Sequence, residues 1–400
     1  MRPERGSAVS TGANHAAELV VVTNTPTPYR TPFFNALSCA LRAHGARLHV
    51  LYCALRERHR QWDIRLDEQS YSWTVLPGWH PVIREWNAHI NPSVVRHLRT
   101  LRPTWILSAG AWNLPTVLMA SQSFLAGNAY RIFWSESHAR AVLHPGGPIA
   151  ATRRLALRSY DAFAVPNEAS ARFVRAEVRD RTRVFLLPNT VDEDAFIRTP
   201  DADRTAMRTR LGLTETGTVL VCVARLDEKK GVLDLASGYE RLPAHVRANT
   251  VLAFVGDGSL RRTLETKARV LAPGEIRIVG HVEKPAIRDW LWAADAFALA
   301  TRRDANPLSV IEAAFAALPL IVSREAGNVD ELCHDGVNGF VLERQDPDTV
   351  ATVLQRFLSL GEPARRDMGA RSLALANQSF RRADVAQRFV QDLVSARASR

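Results

Sequence analysis

Short apolar segments alternate with helical segments of ten or more residues along nearly the whole chain, in two consecutive series. A helix of that length returns the chain to the start of the sheet, so the next strand runs parallel to the last. Repetition of that unit predicts an α/β protein with doubly wound parallel sheets. Expected strands of the first series lie at Leu19–Thr23, Leu48–Tyr52, Ser72–Leu76, Trp105–Ser108, Arg131–Trp134, Ala162–Val165 and Val184–Leu187. Helices are expected at Pro32–Ala43, Pro92–Leu101, Leu114–Leu125 and Glu168–Ala176. The second series has strands at Val219–Ala224, Leu252–Val255, Arg277–Val279, Ala296–Leu299 and Leu320–Val322. Three helical stretches then close the chain, the last from about Ala383 to Arg397. The turn-rich stretch Leu187–Phe196 divides the two series. The reading is a disordered tail over 1–17, one domain over 18–190, a second over 191–375, and a final segment, 376–400, packing back on the first domain.

At 400 residues and 46% hydrophobic, the chain can bury two cores. No uninterrupted apolar run reaches the roughly 18 residues of a membrane span. Met1–Asn14 has no apolar centre and does not resemble a signal peptide. The four cysteines are scattered without a C-x-x-C pair, as buried, reduced thiols of a cytoplasmic protein would be. The net charge of +11 is uneven. Residues 1–190 hold 23 Arg, no Lys and 12 acidic residues, so the second half is neutral. A basic first half implies an anionic partner: membrane lipid, a diphosphate-linked substrate or nucleic acid. The arginines are dispersed and no recognition module is readable, which argues against nucleic acid. The expected location is cytoplasmic, with peripheral contact to the inner face of the membrane as an extension.

Two strand-end motifs carry chemistry. Asp304–Ala313 reads D-A-N-P-L-S-V-I-E-A, placing Asp304 on the loop after a strand and Glu312 in the first turn of the next helix. Open backbone amides of Leu308, Ser309 and Val310 lie between them, and such a helix N-terminus binds phosphate. Flanking carboxylates can hold sugar hydroxyls. Ser309-x-x-Glu312 is equally a capping box, in which Glu312 serves its own helix. The other motif follows the strand ending at Ala224: Arg225-Leu-Asp-Glu-Lys229-Lys230-Gly231. Two cations at the C-terminal end of a strand sit where open α/β sheets bind ligands. Arg offers a planar fork to phosphate and Lys a point charge.

With these motifs in place, the sequence resembles the family 4 retaining glycosyltransferases, of the GT-B fold. Leu187-Pro-Asn189-Thr-Val-Asp192-x-x-x-Phe196 is similar to that family's interdomain P-N-G-V-D-x-x-x-F. Val223-Ala-Arg225-x-x-x-x-Lys230-Gly231 is similar to its V-x-R-x-x-x-x-K-G, and Asp304 to Glu312 to its E-x7-E. Gly256-Asp-Gly, Gly280-His281-Val282 and Ala326-Gly327-Asn328-x-x-Glu331 complete the series. The resemblance is specific from about residue 187 to 345. It implies two Rossmann-like domains facing across a cleft, the first (18–190) binding the acceptor and the second (191–375) the nucleotide sugar, and transfer of a hexose-type sugar from a nucleotide-diphosphate sugar to a hydroxyl acceptor. The acceptor would be lipid-linked or a growing glycan, in polysaccharide, glycolipid or glycoconjugate biosynthesis. Arg225 and Lys230 would then neutralise the diphosphate, Glu312 hold the ribose diol and Asp304 the sugar's hydroxyls, with the Leu308 and Ser309 amides on phosphate. His281 and Val282 would edge the base, and Gly256 and Asn306 join the donor-binding set. His138, in Phe133-Trp-Ser-Glu-Ser-His138, would face the donor across the cleft. Tyr29 and Arg30, in the first loop, would meet acceptor or donor.

Asp304 stands where the family has Glu, Thr190 where it has Gly, and Asn328 where it has the second Gly of G-G-x-x-E. The second half has no D-x-D on a strand-end loop, so no metal ion or other cofactor is expected. Arg225, Lys230 and the helix amides would stabilise the leaving diphosphate instead. No carboxylate is evident for the opposite sugar face, so retention would proceed without a covalent nucleophile. Competing readings are a nucleotide-sugar epimerase or phosphorylase on the same fold, a basic nucleic-acid-binding protein, and a non-catalytic sugar-nucleotide-binding protein.

Overall fold

The computed structural model describes residues 17–57, 66–83, 86–122, 128–139, 142, 144–178, 182–199 and 203–398. The expected tail therefore falls, apart from Ala17, outside the described residues. Strands β1 (Glu18–Thr23), β2 (Arg47–Tyr52) and β3 (Ser72–Val75) are followed by a short antiparallel pair, β4 (Val82–Ile83) and β5 (Trp86–Asn87). Then come β6 (Trp105–Ala109), β7 (Tyr130–Trp134), β8 (Ala162–Val165) and β9 (Arg183–Leu186). They form a seven-stranded parallel sheet in the order β3-β2-β1-β6-β7-β8-β9. The second domain holds β10 (Thr218–Val223), β11 (Thr250–Val255), β12 (Ile276–Gly280), β13 (Ala296–Leu299), β14 (Leu320–Ser323) and β15 (Gly339–Leu342). Its sheet is parallel, in the order β12-β11-β10-β13-β14-β15.

Central strands of such sheets are covered on both faces and therefore read as continuous apolar runs. Leu19–Val22 of β1 and Leu220–Cys222 of β10 are fully buried for this reason. In each sheet the strand order reverses beside its first strand. That reversal opens a crevice at the strand C-termini: between β1 and β6 in the first domain, and between β10 and β13 in the second. These two crevices face each other across the interdomain cleft, and both hold cavities described below.

The chain crosses between domains twice. The last helix, Arg382–Ala398, buries Val385, Phe389, Val390 and Leu393 in the core of the first domain. Phe389 meets Phe185 edge-on, with centroids 6.0 Å apart. Large apolar side chains buried this way stabilise by about 1.5–3 kcal/mol each, so the helix fastens the second domain's C-terminal end to the first. At the crossing, buried Glu193 accepts the Arg382 amide at 3.2 Å, with the Arg382 guanidinium 3.7 Å away.

Several expectations need correction. Strand β15 and the helix Gly147–Leu157 were not anticipated. The helix expected over Leu114–Leu125 spans Pro115–Ser121, and residues 123–127 lie outside the described set. Cys53, Cys222 and Cys333 are buried, which pushes their thiols up to about 12, whereas Cys39 is exposed. Among the described residues no helix is long and apolar enough to cross a membrane.

Candidate functional site

The second domain's crevice holds a cavity of about 320 Å³. Its walls bring together Arg225, Lys230, Gly256, His281, Val282, Leu308, Ser309 and Glu312, and Tyr29 reaches in from the first domain. Arg225 directs a three-quarters exposed side chain toward it, with Nε held by Asp227 at 3.0 Å. A single helical turn, Glu228–Lys230, aims Lys230; Asp227 caps it by accepting the Lys230 amide at 3.2 Å. Gly231 follows at a φ of +61°, and a Cβ there would lie 1.8 Å from the Ala300 carbonyl oxygen. Only glycine lets this turn press against the end of β13. Gly256, at a φ of +143°, similarly leaves no space for a Cβ beside the Ala224 carbonyl.

The helix Leu308–Phe315 ends on this cavity, with Pro307 as its N-cap residue. That overturns the capping-box reading: Ser309 lies inside the helix, no side chain caps it, and Glu312 falls in the second turn. The Val310 amide donates to the Pro307 carbonyl at 3.3 Å, which leaves Leu308 and Ser309 at the open end. Asn328, one of the departures from the family pattern, donates from Nδ2 to the same carbonyl at 3.1 Å and fixes the helix start.

Glu312 is 3% exposed, and burial pushes its carboxyl up to about 7 against the opposing pull of the Lys284 ammonium. The Tyr29 phenol is pushed up to about 12 by its own burial and then by Glu312. Lys284 Nζ stands 4.4 Å from the centre of the Tyr29 ring. A buried carboxylate, a cation and a phenol from the opposite domain thus meet at one point of the cleft.

Asp304 stands on the loop after β13, beside Lys230. It lines neither cavity; one carboxylate oxygen pairs with the Lys230 ammonium and the other accepts the Asn306 amide at 3.2 Å. Its shorter side chain therefore holds Lys230. His138 and Asn306 also lie outside both linings, at the interdomain seam. His138 is 3% exposed, with Nε2 3.3 Å from the Asp304 carbonyl oxygen, so it faces the loop backbone across the cleft. Asn167 donates to the Ala305 carbonyl at 3.0 Å, and Glu331 accepts the Glu168 amide at 2.7 Å. The seam thus ties the Asp304–Asn306 loop to the first domain.

The first domain's crevice holds a second cavity, of about 390 Å³, which shares Tyr29 and Leu308 with the first. Arg30 lies in its wall, donating to Thr23 at 2.8 Å and Glu136 at 3.3 Å, with its guanidinium 4.6 Å over the Trp134 ring. Asn189 donates to the same Glu136 oxygen at 3.1 Å. Sequence reasoning assigned no role to Glu136, Asn189 or Lys284. Glu136 stands in the quoted Phe133–His138 stretch and Asn189 in the linker motif, but their meeting depends on the fold.

A family model described as "Glycosyl transferases group 1" matches residues 203–373. The chain is 30% identical over 237 residues to a D-inositol 3-phosphate glycosyltransferase of Xylanimonas cellulosilytica, covering 58% of this chain and 56% of that protein. It is 26% identical over 291 residues to a GDP-mannose-dependent monoacylated alpha-(1-6)-phosphatidylinositol monomannoside mannosyltransferase of Corynebacterium glutamicum, covering 71% of this chain and 73% of the relative. Among solved structures, Anabaena Alr3699/HepE in complex with UDP superposes with a TM-score of 0.74 at 16% identity, over 94% of this chain and all of that one. At that identity the likeness speaks for the fold.

Proposed function

We propose that this chain, a GT-B protein belonging to the group 1 glycosyl transferases, moves a hexose-type sugar from a nucleoside-diphosphate sugar to a hydroxyl acceptor. The observation that carries the reading is the second domain's cavity, where Arg225, Lys230, the open end of the Leu308–Phe315 helix and buried Glu312 converge at a strand-order reversal. Cations and helix amides suit a diphosphate, and a buried carboxylate suits a ribose diol. The names of the two relatives, one GDP-mannose-dependent and both glycosyl-transferring, support a nucleotide-sugar donor and an acceptor in glycoconjugate synthesis.

In this reading the bond between the sugar's anomeric carbon and the diphosphate oxygen breaks as negative charge grows on the leaving group. Arg225 and Lys230, fixed before reaction by Asp227 and Asp304, favour that charge more than the ground state. Asp304 acts as the group that positions Lys230. The leaving oxygen takes the acceptor's proton while the acceptor enters on the same face, so the anomeric configuration is retained. The reading assigns charge stabilisation to these side chains without a metal ion. It also sets the acceptor at an anionic membrane surface inside the cell, on the basic excess of residues 1–190.

The test is a panel of UDP-, GDP- and dTDP-sugars with candidate glycoside acceptors, read by release of nucleoside diphosphate and by product mass, with and without EDTA. Release coupled to a glycosylated product of unchanged anomeric configuration, insensitive to EDTA, is expected. Binding of the nucleotide without turnover would leave a non-catalytic binder.

A further inference from the structure

Asn167 opens the helix Glu168–Glu177 of the first domain and is 1% exposed. Its Oδ1 accepts the Ser170 amide at 2.9 Å, which is the ordinary role of an N-cap residue. Aspartate, serine or threonine would serve that role as well. A carboxamide also donates, and Nδ2 donates to the Ala305 carbonyl of the second domain at 3.0 Å, across 138 residues of chain. Among the described residues, no group of the second domain donates to that carbonyl. Glu331 accepts the neighbouring Glu168 amide at 2.7 Å, so the second domain binds two successive residues of the helix start.

Ala305 lies between the two elements that would face the phosphates. Before it, Asp304 pairs with Lys230; after it, Asn306 and Pro307 lead into the helix that presents the Leu308 and Ser309 amides. The second domain fixes this loop at points on either side. The Lys229 carbonyl accepts Thr301 Oγ1 at 2.8 Å and the Arg302 and Arg303 amides at 2.8 and 3.1 Å. The Asp304 carbonyl accepts the Gly327 amide at 2.9 Å, and the Pro307 carbonyl accepts Asn328 at 3.1 Å. Between those points the Ala305 carbonyl takes its hydrogen bond from the first domain. Gly327 leaves the room for it: a Cβ there would stand 1.9 Å from the Ala305 oxygen and 3.1 Å from Asn167 Nδ2.

We propose that Asn167 is a positioning residue for the donor site. From the first domain it fixes the Ala305 carbonyl, and through that loop it sets Lys230 and the Leu308 and Ser309 amides against the leaving diphosphate. The proposal rests on the glycosyltransferase reading and adds to it a residue placed outside the donor cavity. Such coupling is reciprocal. A nucleotide that orders the loop also orders the helix start bound to it.

The experiment is hydrogen exchange read by mass spectrometry on the full chain, with and without UDP, beside steady-state kinetics on the sugar nucleotide that the panel above turns over. In wild type, UDP should slow exchange over residues 167–174 as well as 304–312, by about fivefold or more, the low end of ordinary coupling between sites. Asn167→Asp keeps an N-cap oxygen but turns a second oxygen toward the Ala305 carbonyl, and Asn167→Ser keeps the cap and loses the donor. Both variants should melt as wild type does and show UDP protection over 304–312, but lose it over 167–174. Misplacing a reacting group by about 1 Å can cost on the order of 10²-fold. Accordingly kcat should fall about tenfold or more in Asn167→Asp and less in Asn167→Ser, with donor KM within about twofold of wild type. Were Asn167 a cap only, both variants would keep wild-type kcat and UDP-dependent protection, and only Asn167→Ala would lower the melting temperature; that result overturns the proposal. Protection of 304–312 without 167–174 in wild type would overturn it too and leave the donor reading intact. No protection by UDP anywhere on the chain would overturn the donor reading, and this proposal with it.

Discussion

Glu312→Gln separates what this carboxylate does for the fold from what it does for a ligand. The side chain is 3% exposed, and its carboxyl rises from an ordinary value of 4.5 to about 7, chiefly through burial. One pKa unit is about 1.4 kcal/mol, so keeping this group ionised costs the fold about 3 kcal/mol above pH 7. The sign follows from proton counts. Between 4.5 and about 7 the folded protein holds a proton that the unfolded chain has released, so stability falls as pH rises through that window and levels above it. Glutamine stays neutral throughout. The variant should therefore match wild type near pH 4.5 and exceed it by about 3 kcal/mol at pH 8. At about 2–4 °C per kcal/mol, that is a gain of ~6–12 °C in the second domain's melting temperature. Ribose hydroxyls donate to the ionised form, so wild-type UDP affinity should tighten from pH 5 to 7 and then level, whereas the variant should bind weakly and independently of pH. Thermal melts and calorimetric titrations across pH 5–8 give both readouts. A variant no more stable at pH 8, with unaltered UDP affinity, would refute the argument.

Four further outcomes follow from the geometry. Arg225→Ala should lower kcat by 10²–10³, about 2.7–4 kcal/mol of transition-state stabilisation, in a nucleotide-release assay, with an unchanged melting curve. Asp304→Asn frees Lys230 from its partner, so UDP should bind more tightly while turnover drops at least tenfold; weakened UDP binding would show that Asp304 meets the donor directly. Gly256→Ala places a Cβ about 2.0 Å from the Ala224 carbonyl at a φ of +143°; urea unfolding should show a loss of roughly 1–3 kcal/mol. Vesicles containing anionic lipid should retain the protein at low salt and release it as salt rises, since exposed charges are screened over about 8 Å at physiological ionic strength. Equal retention by neutral vesicles would remove the anionic surface, and with it the role of the basic first half, from the account.

Much of this architecture is legible in the sequence because doubly wound sheets write their strands as continuous apolar runs. All twelve expected sheet strands are present, with ends displaced by a residue or two. β15 escaped notice because its four residues, Gly339–Leu342, follow directly on a turn, and the segment before them holds only the one-turn helix Val329–Leu332. The cations and the helix end were legible as strand-end motifs, since local chemistry dictates their positions. The capping box misled for a local reason: Pro307 takes the N-cap position and Asn328 ties its carbonyl, which sets Ser309 two residues too deep to cap. Pairings that the fold alone creates were out of reach. Lys230 and Asp304 are 74 residues apart, and Arg30 and Glu136 are 106 apart. No spacing rule joins residues at such separations; they meet because both crevices lie at strand C-termini.

A crystal structure of the protein with UDP tests the central claim most directly. The account predicts the diphosphate within hydrogen-bonding distance of Arg225, Lys230 and the amides of Leu308 and Ser309, the ribose diol on Glu312, and the base beside His281 and Val282. UDP bound elsewhere on the chain, or in that cavity with its ribose away from Glu312 and its phosphates away from both cations, would contradict it.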